Sequence, residues 1–366
     1  MADVLHVACN LGSGVAAVIG SYATLTPEYQ HRLLAETDPS CPVGDLGTGM
    51  VEVIRLDRGR PGRAAQIREV VRRLQPDVIH AHSSYAGLFV RLAIGERDRI
   101  VHTPHCYGFH RSDLGWPTRR AVWLAEAALS YRGGYVAACS PHEYASARRL
   151  PAPRVVSYVP NAVPIRATDP YRPSDGTPLV LGAGRLCKQK APDLFAAAAE
   201  LGRRRGLPLR WQWVGGGDPT YAELLRAAGV EVTGWLPHEA ACSLIGRAQV
   251  YVHTAAWESA PLTVLEAAAA GVPVLAREHP ALRLLGVRPL WRQVPELVDM
   301  LATYPDGRPF AQAAAAGRDV AAAHLPAAQR AALLAVYGDI TRSTPKKAEQ
   351  SEHPRLRSRQ LVRRPS

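Results

Sequence analysis

The alternation of two patterns along the chain is the feature that most constrains its fold. Short, continuous apolar runs alternate with stretches of helical periodicity through most of the 366 residues. Such runs are typical of strands buried on both faces of a parallel sheet, and the alternation predicts an α/β fold built from βα units. The predicted strands cover residues 4–8, 51–56, 76–82, 100–103, 135–139, 155–159, 179–182, 210–214, 230–234, 249–253 and 272–276.

One interruption divides this alternation. Residues 166–178 are rich in Pro, Asp, Ser, Thr and Gly, a composition typical of a linker between domains. We therefore predict two tandem Rossmann-like domains facing each other across a cleft, over residues 1–165 and 179–320. A helix over 321–343 is expected to pack back on the first domain, and a basic, disordered tail is predicted over 344–366.

The charge balance limits the range of partners. The formal net charge is +12, which fits nucleic acid, an anionic membrane surface or a polyanionic substrate. Only four phenylalanines are present and no recognition module appears, so no nucleic-acid partner is predicted. Six scattered cysteines without a C-x-x-C pair indicate reduced, structural thiols. No apolar run reaches the ~18 residues of a membrane span and no basic signal leader is present, which predicts a cytoplasmic protein.

Two glutamates form the most informative local pattern. Glu258 and Glu266 stand on either side of Pro261, and an alanine-rich helical run follows. Proline suits the first turn of a helix, so a helix is predicted to begin near Pro261, with its first amides open to a phosphate. Those amides belong to Leu262, Thr263 and Val264. Carboxylates on both sides favour a sugar–diphosphate–nucleoside, although the helix dipole alone also favours a glutamate near a helix start.

Two further segments are compatible with phosphate binding. Arg185 and Lys190 flank a turn ahead of a predicted helix over 193–201, where fixed cations could neutralise a departing diphosphate. Gly12 and Gly14 follow the first strand and let the backbone approach a ligand closely. The third glycine of a dinucleotide fingerprint is missing, so an NAD site is not predicted. A solvated basic loop and a simple βα turn are the alternatives for the two segments.

Histidines follow several predicted strands, at the sheet edge where ligands of parallel sheets bind. His105 is the strongest catalytic candidate, because it lies in a loop that contains Gly108 and can hold it exposed. His102 is expected on the opposite face from His105. His80 is likewise expected to oppose His82.

The order of these motifs resembles a known family. In chain order they are Thr103-Pro-His105, Val159-Pro-Asn161, Gly184-Arg-Leu-x-x-Gln-Lys190 and Glu258…Glu266. Over residues 4–340 the chain resembles the retaining glycosyltransferases of family 4, which have the GT-B fold and an E-x7-E motif. Pro76-Asp-Val-Ile-His-Ala-His-Ser-Ser84 narrows the similarity to enzymes of bacterial capsular, exopolysaccharide or lipid-linked glycan synthesis. Ser259 and Ala260 stand where the family usually has Gly followed by an apolar or aromatic residue.

The resemblance implies a role for each candidate residue. Arg185 and Lys190 would bind the diphosphate of a nucleotide-sugar donor, which is expected to be UDP-linked. Glu258 would contact the donor sugar, Glu266 the ribose, and His105 the sugar near the reacting carbon. Backbone groups that would line the phosphate and sugar site are those of Gly12, Gly14, Leu262, Thr263 and Val264.

The resemblance also implies a reaction. The sugar would be transferred with retention at the anomeric centre by front-face attack, with the leaving phosphate helping to deprotonate the acceptor hydroxyl. No metal and no tightly bound cofactor is implied, since Arg and Lys can neutralise the diphosphate.

The predicted acceptor is a glycan or lipid-linked intermediate of bacterial surface polysaccharide synthesis. Arginine-rich helices of the first domain and the basic tail favour an anionic membrane surface, on the inner face of the cell membrane. Solvated arginines are the alternative explanation for those helices. Two other functions stay open on the same residues: a natural-product tailoring glycosyltransferase, and a non-catalytic scaffold with the GT-B fold.

Overall fold

Two parallel sheets organise the part of the chain that the computed structural model describes. The described residues are 1–37, 46, 49–57, 59, 62–95, 97–153, 155–164, 176–304 and 307–343. Most of the predicted linker over 166–178 and the whole predicted tail over 344–366 lie outside them.

The first sheet belongs to the N-terminal domain. Its strands are β1 (Ala2–Leu11), β2 (Tyr29–Thr37), β3 (Met50–Arg55), β4 (Val78–His82), β5 (Ile100–Thr103), β6 (Tyr135–Ala138) and β7 (Val155–Tyr158). They are all parallel and run in the order β3-β2-β1-β4-β5-β6-β7. The helices of this domain are α1 (Ser13–Leu25), α2 (Arg63–Leu74), α3 (Ser83–Ala93), α4 (Trp116–Ser130) and α5 (Pro141–Ala147).

The second sheet belongs to the C-terminal domain. Its strands are β8 (Leu179–Ala183), β9 (Arg210–Val214), β10 (Glu231–Val232), β11 (Val250–His253), β12 (Val274–Arg277) and β13 (Leu290–Trp291), in the order β10-β9-β8-β11-β12-β13. The helices are α6 (Pro192–Arg204), α7 (Pro219–Ala227), α8 (His238–Arg247), α9 (Leu262–Ala269), α10 (Pro280–Leu285), α11 (Val294–Ala302), α12 (Arg308–Ala322) and α13 (Pro326–Ser343).

The strand orders confirm the predicted α/β class with two tandem Rossmann-like sheets. In each sheet the direction of strand addition reverses beside the first strand, because β1 lies between β2 and β4, and β8 between β9 and β11. Ligands of such sheets bind outside the carboxyl ends of the strands at this reversal. The fold therefore points to the ends of β1 and β4 in one domain and of β8 and β11 in the other.

The predicted strand over residues 51–56 is confirmed as β3, but it is not the second strand, because β2 precedes it. Strand β2 mixes buried apolar residues with polar ones, so the sequence pattern does not reveal it as a strand. Leu33 and Leu34 are fully buried, and so is His31. Arg32 pairs with Asp3 at 2.8 Å. Polar groups are tolerated there because each is paired or hydrogen-bonded.

The end of the chain returns to the N-terminal domain. The expected single helix over 321–343 is two helices, since α12 ends at Ala322 and a proline, Pro326, opens α13. Leu333 and Tyr337 of α13 pack in one hydrophobic cluster with Val4 of β1. None of the helices in the described ranges is both long and apolar enough to cross a membrane.

Candidate active site between the two domains

An ion pair joins the ends of two neighbouring strands of the C-terminal domain. Lys190, in the loop after β8, places its Nζ 2.5 Å from Oε1 of Glu258, in the loop after β11. The carboxylate is almost buried and the ammonium is about one-fifth exposed. Gly184 has a φ of 141°, and a Cβ there would lie 3.1 Å from Cε of Lys190. The glycine thus provides both the backbone conformation and the space that the lysine side chain needs.

Hydrogen bonds hold the two loops together around this pair. Ala256 N donates to Gln189 O at 2.8 Å, and Gln189 Nε2 donates to Trp257 O at 3.1 Å. Thr254 Oγ1 donates to Lys190 O at 2.6 Å. These bonds fix the backbone on both sides of the ion pair, so the two charged groups are positioned before any ligand arrives.

Arg185 lies at the start of the same loop and is half-buried. Its backbone is aligned by the glycine turn after β9, because Leu186 N donates to Gly216 O at 2.8 Å. Gly217 has a φ of 145°, and a Cβ there would lie 3.2 Å from Cγ of Arg185. Arg185 forms no ion pair with any described residue, in contrast to Lys190. Its charge is therefore free to meet an anion.

The start of α9 lies beside these cations. The helix begins near Pro261, as predicted, but Pro261 is the residue before it and not part of its first turn, and Val264 N donates to Pro261 O at 3.1 Å. The Val264 amide is therefore less available to a ligand than predicted. The amides of Leu262 and Thr263 donate to no other described group and remain open. Glu266 stands one turn further, with Oε1 3.8 Å from Nε2 of His238.

The N-terminal domain contributes a strained loop after β5. His105 and Cys106 have φ values of 52° and 97°, in the left-handed region that non-glycine residues rarely adopt. Cys106 N donates to Oε1 of Glu143 at 2.8 Å, and Cys139 N donates to Oε2 at the same distance. Burial raises the pKa of the Glu143 carboxyl. This buried side chain ties the loops after β5 and β6 together and supports the conformation of His105.

The two domains meet at the residues that follow Glu258. Ser259 Oγ lies 2.9 Å from Ser140 Oγ and 3.3 Å from Cys139 Sγ. Asn161 Nδ2 donates to Ala260 O at 2.8 Å. Both positions that depart from the family pattern therefore contact the N-terminal domain.

The loop that carries His105 is close to the ion pair electrostatically. Burial raises the pKa of the Cys106 thiol, the negative charge of Glu258 raises it further, and the positive charge of Lys190 lowers it. Both charges of the Lys190–Glu258 pair therefore act on the thiol of Cys106, the residue after His105. Burial also lowers the pKa of His105 to about 4, so its imidazole is neutral at pH 7.

A cluster of histidines lies behind His105. His80 and His82 share one face, with ring centroids 4.2 Å apart, so the expectation that they oppose each other is wrong. Strand side chains alternate with period two, which places residues i and i+2 on the same side. The register of β1 with β4 sets His6 beside His80, and His31 of β2 lies next to His6. Burial lowers the pKa of each of these four histidines.

The glycine loop after β1 adopts a simple geometry. Gly12 is the residue before α1, and Ala16 N donates to Gly12 O at 2.9 Å. A Cβ at Gly14 would have no atom within 4 Å. Gly14 is exposed in the first turn of α1, just after β1, so a ligand can approach its backbone closely.

Two groups among the described residues have the spacing of metal ligands. His6, His80 and His82 form the first, and His238, Cys242 and Glu266 the second. The ring nitrogens of the first group already hydrogen-bond to one another, to Thr103 and to Tyr337, among other partners. This satisfies their polar atoms without an ion.

The structure pairs Lys190 with Glu258, and Cys106, the residue after His105, lies close enough for both charges to shift the pKa of its thiol. Sequence reasoning missed the supporting residues Ser140 and Glu143. Their spacing is that of a capping box, S-x-x-E, and Ser140 Oγ does accept from Glu143 N at 3.1 Å. The glutamate, however, reaches across to the neighbouring loop. The sequence pattern therefore indicated a helix start, but nothing in it indicated the contact between Glu143 and the loop after β5.

Comparisons with known proteins identify the family of the chain. The model of the family described as Glycosyltransferase Family 4 matches residues 23–166, and that of Glycosyl transferases group 1 matches residues 177–294. An uncharacterised 41.2 kDa protein in the cps region of Klebsiella pneumoniae is 23% identical over 296 residues, which cover 75% of this chain and 80% of that protein.

Solved structures give the same result for the fold. Sucrose-phosphate synthase from Thermosynechococcus elongatus has a TM-score of 0.75 at 19% identity, over 94% of this chain and 100% of that one. Anabaena HepE in complex with UDP-glucose has a TM-score of 0.70 at 17% identity, over 94% and 99% of the two chains. The predicted GT-B architecture is confirmed.

Proposed function

Because the chain belongs to glycosyltransferase family 4 and is a glycosyltransferase, we propose that it transfers a sugar from a UDP-linked donor, with retention of anomeric configuration. The observation that carries this proposal is the Lys190–Glu258 pair, which joins the loops after β8 and β11. Its two charges also shift the pKa of Cys106, the residue after His105. A cation for the diphosphate and a carboxylate for sugar hydroxyls are thereby placed side by side.

Donor binding follows from an exchange of partners. A diphosphate offers Lys190 more negative charge than the single carboxylate of Glu258, and Arg185 supplies a second cation. As Lys190 turns to the diphosphate, Glu258 is released to accept hydrogen bonds from the sugar. The open amides of Leu262 and Thr263 add donors to the phosphate. Glu266, one turn inside the helix, accepts from the ribose hydroxyls.

In the chemical step the bond between the anomeric carbon and the phosphate oxygen breaks. The acceptor hydroxyl attacks from the same face, and its proton passes to the departing phosphate. Charge that builds on the diphosphate is stabilised by Arg185 and Lys190, which are fixed before the reaction. Since these cations do this work, we propose that no divalent metal is needed. Activity that persists in the presence of a chelator supports this, and activity that requires added Mg²⁺ contradicts it.

The base assignment is supported by a structural relative. Anabaena HepE was solved with UDP-glucose and has the same fold over nearly the whole chain. A uridine donor is therefore the starting choice for this protein as well.

The acceptor is proposed to be a glycan or lipid-linked intermediate of surface polysaccharide synthesis. A relative in a cps region supports a polysaccharide role. Helix α4 supports a membrane surface, because Trp116, Arg120 and Leu124 recur at helical spacing on its exposed side, with Trp116 77% exposed. Aromatic and basic side chains on one exposed face are typical of helices that bind anionic lipid at the inner leaflet.

Hydrolysis of donors in the absence of acceptor tests the proposed function. We expect slow release of UDP from at least one UDP-sugar, little from GDP- or ADP-sugars, and loss of the reaction in Lys190→Ala. A folded protein that neither binds nor hydrolyses any nucleotide sugar contradicts the proposal. Vesicle flotation with and without anionic lipid tests the membrane surface separately, with Trp116→Ala and Arg120→Glu as the variants.

A further inference from the structure

A continuous line of hydrogen bonds runs through the core of the N-terminal domain to the active site. His31 Nδ1 lies 3.0 Å from His6 Nε2, His6 Nδ1 lies 2.9 Å from His82 Nε2, and His82 Nδ1 lies 3.0 Å from His105 Nε2. We call these four residues the histidine relay. Three of them are fully buried, and His105, in the loop after β5, is half-buried.

At the end of the relay furthest from His105, the hydrogen bonds of His31 can run in only one direction. His31 Nε2 lies 3.1 Å from the carbonyl oxygen of Thr26, which can only accept. The hydroxyl of Thr26, 3.0 Å from the same nitrogen, already donates to Tyr22 O at 2.7 Å, so it also accepts from His31. The proton of His31 is therefore on Nε2.

The position of that proton determines which ring nitrogen carries the proton in each of the other three histidines. A neutral imidazole donates from one nitrogen and accepts at the other. Because His31 donates from Nε2, its Nδ1 must accept from His6 Nε2–H. The same rule makes His6 Nδ1 accept from His82, and His82 Nδ1 accept from His105 Nε2–H. A single imidazolium would reverse the hydrogen bonds between it and His105, but burial lowers the pKa of all four histidines and so keeps them neutral at pH 7.

We infer that the histidine relay fixes His105 as the Nε2–H tautomer and so presents Nδ1 to the cleft as a hydrogen-bond acceptor. Nδ1 makes no hydrogen bond with any described residue, and it is not among the polar atoms buried without a partner. It selects a donor sugar that offers a hydroxyl proton, and it disfavours a carboxylate or another pure acceptor at that point. His6, His31 and His82 are thus positioning residues for the proposed reaction.

The same argument fixes the proton of a further histidine, His80, which stabilises the relay from the side. Thr103 Oγ1 donates to Ala137 O at 2.9 Å, so it accepts from His80 Nε2 at 2.8 Å. His80 Nδ1 must then accept from the hydroxyl of Tyr337 at 2.8 Å. His80 stacks on His82 and carries its proton on the same nitrogen. Helix α13 therefore contributes to the fixed polarity of this core.

Nitrogen NMR tests the tautomer directly and does not depend on activity. Protein labelled with ¹⁵N-histidine is measured by long-range ¹H–¹⁵N correlation, with assignment by single substitutions. We expect His105, His82, His6 and His31 to carry the proton on Nε2. A proton on Nδ1 of His105 overturns the inference, whatever the enzyme does to nucleotide sugars.

The selection of a hydroxyl rests on the proposed function and has its own test. UDP-glucose is compared by calorimetry with derivatives in which each sugar hydroxyl is replaced in turn by hydrogen or by fluorine. Fluorine can accept but cannot donate. At the hydroxyl that meets His105 we expect fluorine to weaken binding as much as hydrogen does, by about 10-fold or more. Fluorine that preserves affinity at every position overturns the selection.

Variants separate the relay from general support of the fold. His6→Leu interrupts the line and should leave His105 in mixed tautomers, with reduced discrimination against the fluorinated donor. His6→Gln offers one acceptor and one donor, and we expect it to restore both readouts. Thr26→Val keeps the carbonyl that sets the polarity and should behave as wild type. If wild type has the predicted tautomers but binds no nucleotide sugar, the proposed function fails and the relay stands.

Discussion

The two halves of the site use opposite chemistry at equivalent places in the fold. In the C-terminal domain, the loops after β8 and β11 carry a lysine and a glutamate that form an ion pair. In the N-terminal domain, the ends of β4 and β5 lead to a neutral, hydrogen-bonded core of histidines. Under the proposed function the charged half meets the diphosphate through Lys190 and the sugar through Glu258, whereas the neutral half meets a sugar hydroxyl through His105.

The largest effect is expected from removing the carboxylate charge of the C-terminal half. Glu258→Gln keeps the shape of the side chain but weakens its hydrogen bonds to the sugar, and we expect kcat to fall about 100-fold. Donor affinity should change little, because Lys190 is then free for the diphosphate. Donor hydrolysis and calorimetry measure the two quantities.

The second glutamate should act on binding and not on turnover. Glu266→Gln is expected to weaken UDP binding about 10-fold, with kcat nearly unchanged, because the ribose is remote from the reacting carbon. Glu239→Gln, at an exposed position on α8, is the matched control. If Glu258→Gln and Glu266→Gln both keep full activity, the assignment of the E-x7-E pair is wrong.

Acid should affect the N-terminal half through its buried neutral histidines. Their pKa is lowered in the folded protein, so the unfolded chain takes up protons first as the pH falls through about 6.5. Stability is therefore complete above that pH and is lost as the pH falls towards about 4, the pKa of His105. Each lowered pKa unit corresponds to about 1.4 kcal/mol. Urea unfolding at pH 7.5 and pH 5 should show the lower midpoint at pH 5, and equal midpoints would contradict a neutral histidine core.

The smallest effect on stability is expected at the glycine loop. Gly14→Ala introduces a methyl group that meets no protein atom within 4 Å, so the free energy of unfolding should change by less than about 0.5 kcal/mol. If a ligand passes over this loop, donor kcat/KM should fall about 10-fold. Gly95→Ala also has open space and lies at the far end of α3, so it should change neither quantity. Unchanged kcat/KM in Gly14→Ala would remove this loop from the site.

Much of the difference between the charged and the neutral half of the site can be predicted from the sequence. Apolar runs predicted most strands, and Pro261 predicted the start of α9 to within one residue. Strand β2 was missed because His31 and Arg32 interrupt its apolar pattern, and their partners are supplied only by the folded sheet.

Contacts between distant residues could not be predicted. Ser140 and Ser259 are 119 residues apart, and the meeting of their hydroxyls depends on how the two domains pack. The histidine relay likewise depends on the register of β1 against its neighbours, which no local pattern specifies. Local chemistry thus identified the charged half of the site more fully than the neutral half.

Calorimetry with UDP tests the central claim most directly, with three proteins measured side by side. Wild type should bind UDP, Lys190→Ala should bind it at least about 10-fold more weakly, and Lys188→Ala should match wild type because Lys188 is exposed beside the site. Equal affinity in all three proteins, or no binding by folded wild type, would contradict a diphosphate site at the Lys190–Glu258 pair.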